Sequence, residues 1–124
     1  PFVYDLVTKC FYDNVEHPDY DAIKRYRASL LKNKSTIKIT DFGSGSRVFK
    51  SNERRIRAVA KNSGTPLNRA QLLYRVVHYF KPEHTLELGT SLGIATQAMA
   101  LGNPNNSIVS LEGCPNSAAF TTEQ

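Results

Sequence analysis

Lysine and arginine are absent after Lys81, long apolar runs are absent throughout, and only two cysteines and three histidines occur in 124 residues. No apolar stretch approaches the ~20 residues that a membrane-spanning helix needs. The opening PFVYDLVTKCFYDN has neither the basic leader nor the small-residue cleavage site of a secretory signal, so the expected location is cytoplasmic. Cys10 and Cys114 stand far apart, with no CxxC spacing and no histidine at ligand distance, which argues against a zinc motif or a disulfide framework. His17, His78 and His84 are scattered in the manner of surface or packing residues, and no metal is expected.

The missing cations at the end make the net charge of +5 lopsided. Sixteen cations and seven acids give residues 1–81 a charge of +9, while four acids and no cation give residues 82–124 a charge of −4. A basic half can attract a polyanion by releasing its counterions. No aromatic-interleaved RNA motif accompanies the charge, so solvated helix faces are the preferred reading and nucleic-acid binding the lesser one.

What is present is mostly helical periodicity. Phe2, Val3, Leu6, Val7, Cys10 and Phe11 recur at three- and four-residue spacing, predicting a core-facing helix over residues 2–13. A second helix is expected from Asp19 or Tyr20 to Lys32, and Thr36 to Thr40 alternates as a short strand with Ile37 and Ile39 on one face. DFGSGS (41–46) follows as a connecting loop. Ser51 is expected to cap a basic helix from Asn52 to about Asn62 that carries Arg54, Arg55, Arg57 and Lys61. Thr65-Pro66 opens a further helix to about Phe80.

Beyond Pro82 the pattern changes to strand (Thr85–Leu88), turn (Gly89–Gly93), helix (Ile94–Leu101), loop and strand (Ser107–Leu111), the form of a parallel crossover. The expected class is α/β, with a mainly helical N-terminal extension over 1–82 and the start of a Rossmann-like domain over 83–124. An open nucleotide-binding sheet takes roughly 150 residues, and 41 remain from His84, so the sheet is expected to be truncated. A start at Pro1 rather than methionine agrees with a fragment.

The segment richest in chemistry is TLELGTSLGIATQAMA, in which a strand delivers Glu87 into a Gly89-Thr90-Ser91-Leu92-Gly93 turn that opens a helix. Glycine at 89 allows a sharp turn against a ligand, and glycine at 93 allows close approach of the helix. Nineteen residues after Gly93, the strand IVSLE ends in Glu112. A carboxylate there can accept hydrogen bonds from two vicinal hydroxyls at once. Each acid alone reads as a surface charge, and Thr90 and Ser91 could equally be helix N-caps.

This arrangement resembles motif I of the class I S-adenosylmethionine-dependent methyltransferases, E/D-x-G-x-x-x-G, filled here by Glu87, Gly89 and Gly93. LELGTSLG with VSLEGCP is similar to small-molecule O-methyltransferases and to related bacterial methyltransferases with a helical N-terminal extension. The likeness covers about residues 65–120 and is loose before that. It implies S-adenosylmethionine as cofactor, with Gly89, Thr90 and Ser91 along its methionine part, Glu87 near its amino group and Glu112 on its ribose. It implies a small-molecule methyl acceptor, and catalytic or metal-binding groups beyond the second strand, so no catalytic residue is assigned. Residues 1–124 alone are expected to bind cofactor weakly and to be inactive.

Two rivals stay open. GTSLG also fits G-x-S-x-G, the serine hydrolase elbow, with Ser91 as nucleophile, although every histidine precedes it. The basic helices could instead make this an RNA-binding or assembly module. A dinucleotide fingerprint is disfavoured because position 91 is serine where the second glycine belongs.

Overall fold

In the computed structural model, which describes residues 1–124, the chain is a mixed α/β structure with six α-helices and two separate two-stranded sheets. Helix α1 (Phe2–Asp5) runs into a π-helical segment (Leu6–Phe11), followed by α2 (Tyr20–Lys32). Strands β1 (Thr36–Lys38) and β2 (Glu53–Arg55) precede α3 (Ile56–Asn62) and α4 (Leu67–Phe80). Then come β3 (His84–Leu88), α5 (Ile94–Gly102), β4 (Ser107–Leu111) and α6 (Pro115–Thr122).

The N-terminal helix departs from its expected packing. Of the apolar residues meant for the core only Cys10 is buried, while Phe2, Val3 and Phe11 stay exposed. The backbone widens to π geometry from Leu6, so three- and four-residue spacing no longer keeps one face turned to a neighbour. The segment is held to α4 by one polar and one aromatic contact at its edge: Arg75 Nε donates to the Cys10 carbonyl at 2.7 Å, and the Phe2 and Phe80 rings lie 4.8 Å apart.

A second correction concerns Ser51. It caps no helix: its Oγ accepts the Glu53 amide at 3.1 Å, and Glu53–Arg55 pairs antiparallel with Thr36–Lys38. Helix α3 starts only at Ile56, whose amide donates to the Ser35 carbonyl, so Arg54 and Arg55 lie on a strand and the basic helix begins four residues later than expected. Thr65 likewise caps nothing. Pro66 occupies the position before α4, and Lys81 ends that helix in the left-handed conformation with φ 47°.

One apolar cluster joins Tyr20, Ile23 and Leu30 of α2, Ile37 of β1, Ile56, Val59 and Ala60 of α3, and Ala70 and Tyr74 of α4 to Leu92, Ile94 and Ala98 around the start of α5. The core therefore runs across residue 82. Tyr74 anchors its polar margin, its hydroxyl donating to Asp19 Oδ2 at 3.0 Å. Burial first, and the Asp19 carboxylate second, push the Tyr74 phenol up to about 12.

That shift sets an alkaline limit. Above pH 10 the unfolded chain releases the phenolic proton while the folded chain keeps it, so stability falls as pH rises from about 10 to about 12. Tyr74→Phe is expected to flatten this part of the stability–pH curve, measured by urea unfolding at successive pH values. A slope unchanged by the substitution would exclude Tyr74 as its source.

Strands β3 and β4 run parallel, from His84 opposite Ser107 to Leu88 opposite Leu111, linked by α5 as the sequence pattern requires. Leu86, Leu88, Val109 and Leu111 are all more than half exposed, so this sheet presents a bare apolar face.

Candidate site at the glycine turn

At the C-terminal ends of β3 and β4 the chain turns through three residues of positive φ. Gly89 has φ 90°, Ser91 φ 50° and Gly93 φ 80°. The two glycines serve different needs. A side chain at Gly89 would point into open space, so only its backbone angle demands glycine, whereas at Gly93 a Cβ would also lie 2.6 Å from Thr121 Cγ2 of α6. Ser91 adopts the left-handed region without that freedom, a strain that neighbouring bonds must hold.

Those bonds come from three elements. The Ser91 amide donates to Glu112 Oε2 at 2.6 Å, Thr121 Oγ1 donates to the Ser91 carbonyl at 2.8 Å, and the Tyr26 hydroxyl of α2 donates to the Leu92 carbonyl. Burial raises the Tyr26 phenol above its ordinary value, keeping it a donor throughout the physiological range. Gly89 and Thr90 amides both donate to the Leu111 carbonyl. The N–H groups of residues 89–91 are thus bonded within the chain, and a ligand at this turn meets close backbone, side-chain oxygens and carbonyls.

Glu112 is held through both of its carboxylate oxygens. Besides holding Ser91, its Oε1 accepts the Cys114 amide at 2.9 Å. A carboxylate has about four lone-pair sites, so one remains on each oxygen for a further donor. Glu87 sits on the neighbouring strand with its Oε2 accepting from Thr96 Oγ1 and Ser110 Oγ, while its other oxygen accepts nothing. Thr90 Oγ1 pairs with Ser110 Oγ and caps no helix.

All six residues expected here, Glu87, Gly89, Thr90, Ser91, Gly93 and Glu112, fall on this turn and the two strand ends that flank it. Thr96, Ser110, Thr121 and Tyr26 were not foreseen as their partners. Helix α6 itself went unread, although Pro115 at its first turn and the Ala118-Ala119-Phe120 run are helix signals.

A cavity of about 300 Å³ opens beside Glu112, bounded by Ser91, Gly113 and Cys114 on the turn side and by Thr40, Asp41, Phe42 and Arg54 on the other. The start of DFGSGS, read from sequence as a connecting loop with lining of the substrate side as the lesser alternative, therefore forms one wall of the cavity. It is carried there by bonds between β1 and the start of α6: Asn116 Nδ2 donates to the Lys38 carbonyl at 2.8 Å, and the Thr40 amide points at Cys114 Sγ, 3.3 Å away. Burial raises the Cys114 thiol, but hydrogen bonds from Ser117, Thr40 and Asn116 outweigh it and hold the thiol below its ordinary value.

No histidine reaches Ser91. His17 packs edge-on or tilted against the Tyr20, Tyr74 and His78 rings, the His78 ring lies against the Gly102 carbonyl at 3.2 Å, and His84 begins β3 at the opposite end of the strand. Comparison with protein-family models, curated proteins and solved structures yields no match, so similarity assigns this chain to no family.

Proposed function

We propose that the glycine turn and Glu112 form part of the cofactor site of an S-adenosylmethionine-dependent methyltransferase acting on the oxygen of a small-molecule acceptor. The observation that supports this best is Glu112, fixed by the Ser91 and Cys114 amides at the mouth of a cavity with a lone pair left on each oxygen. Two acceptors at that separation, held in place beforehand, suit a vicinal diol such as a ribose. Glu87 keeps one unbonded oxygen for an ammonium group, and Gly89 leaves room for a ligand against the backbone.

When bound, such a cofactor supplies a methyl group already activated on a sulfonium. The residues here would hold the ribose through Glu112, orient the amino-acid part along residues 87–91, and exclude water from the strand ends. None of them is positioned as a general base. The serine hydrolase reading has one observation in its favour, the left-handed Ser91, but it lacks a histidine within reach.

Calorimetric titration of S-adenosylhomocysteine into the intact protein tests the proposal. Micromolar binding is expected, with one site per chain. Absence of heat and of any thermal stabilisation at millimolar ligand would rule it out, and ester hydrolysis lost on Ser91→Ala would then favour the elbow reading.

A further inference from the structure

The wall of the cavity opposite Glu112 has a chemistry of its own. Phe42 is 81% exposed, the most solvent-facing large apolar side chain in the molecule, yet it does not hang free on a loop. Its ring edge stands 3.5–3.6 Å from where a Cβ on Gly113 would be, directly beyond Glu112 in the chain. Asp41 fixes the approach of the loop, its Oδ1 accepting the Gly43 amide at 2.9 Å. Arg54 on β2 borders the same cavity and is braced from below, its guanidinium 4.6 Å from the Phe49 ring and its Nε donating to the Ser51 carbonyl.

An exposed aromatic face beside a carboxylate with two free acceptor positions is the complement of a nucleoside, in which a flat base is joined to a vicinal diol. Stacking on an aromatic side chain removes one face of each ring from water and needs no particular hydrogen-bond pattern. A Cβ at position 113 would meet the Phe42 ring at ordinary van der Waals distance, which places the ring directly over the chain that follows Glu112.

We propose that Phe42 of the 41–46 loop is the stacking wall for the purine base of the bound nucleoside, so that the segment preceding the sheet contributes directly to ligand recognition. This rests on the reading of Glu112 as the ribose acceptor. Because Phe42 is largely solvent-facing, removing its ring leaves the core intact, and Phe42→Ala is expected to melt at the same temperature as the parent.

The test compares S-adenosylhomocysteine with S-ribosylhomocysteine, which keeps the ribose and amino-acid part but has no base, in calorimetry on the intact protein, Phe42→Ala, Phe42→Tyr and Glu112→Ala. Phe42→Ala is expected to weaken S-adenosylhomocysteine roughly ten-fold and to leave S-ribosylhomocysteine unchanged, with Phe42→Tyr restoring the affinity. If Phe42→Ala binds S-adenosylhomocysteine like the parent while Glu112→Ala does not, the stacking wall is wrong and the ribose site stands. If Phe42→Ala weakens both ligands equally, the ring is not a base contact and the inference fails. If the parent binds neither ligand, the ribose reading and the stacking wall fall together.

Discussion

Gly102→Val lowers the melting temperature by roughly 10 °C, because a Cβ at position 102 collides with main chain that cannot step aside. Its ideal Cβ lies 2.7 Å from the Tyr74 carbonyl oxygen and 3.3 Å from the His78 amide, both within helix α4. Helices α4 and α5 cross at this point, and the absence of a side chain is what lets them touch. Overpacking of this kind costs about 1–3 kcal/mol, and contact with backbone places it at the upper end. At about 4 °C for each kcal/mol in a domain of this size, the shift follows. The His78 ring contact to the Gly102 carbonyl is lost with it. Thermal unfolding followed by circular dichroism measures the effect, and a shift under 2 °C would mean that the crossing is looser than described.

Glu112→Ala removes affinity for S-adenosylhomocysteine by about a hundred-fold or more, and this loss separates from its effect on folding. The substitution strips two backbone amides, Ser91 and Cys114, of a charged acceptor. Hydrogen bonds to charged groups contribute about 1.5–3 kcal/mol each, reduced here by partial access to water. The turn therefore loosens, and Ser91 loses one of the bonds that offset its left-handed backbone while keeping the one from Thr121. Binding suffers further, since each hydroxyl of a vicinal diol loses its acceptor. Glu112→Gln distinguishes the two effects. Its single carbonyl oxygen can serve one amide, so stability is expected to lie between parent and alanine variant, while affinity falls nearly as far as in Glu112→Ala. Titrations well below each variant's melting temperature keep unfolding out of the comparison. Parent-like affinity in Glu112→Gln would show that the second oxygen has no part in recognition.

Much of this architecture was legible one segment at a time. The limits of α2, α4, α5, β3 and β4 lie within a residue or two of their apolar periods, and the Gly89–Gly93 turn was expected where it occurs, because such signals depend on residues a few positions apart. The same locality explains the failures. Residues 53–55 look helical beside Ile56 and Val59, and only pairing with Thr36–Lys38 makes them a strand. The apolar spacing of residues 2–11 was read correctly as a pattern but not as a packed face, since a π-helical backbone redirects it.

The site divides in the same way. Its acids and glycines were visible because a strand, a sharp turn and a helix write themselves into consecutive residue types. What holds them was not: Tyr26 reaches Leu92 across 66 positions, Asn116 reaches Lys38 across 78, and Phe42 meets Gly113 through that same closure. Local propensity determined which segments become helix, strand and turn. Which side chains brace Ser91, and which loop walls the cavity at Glu112, was decided only when a shared core brought the distant halves of the chain into contact, because contacts between distant residues leave no period in the sequence that encodes them.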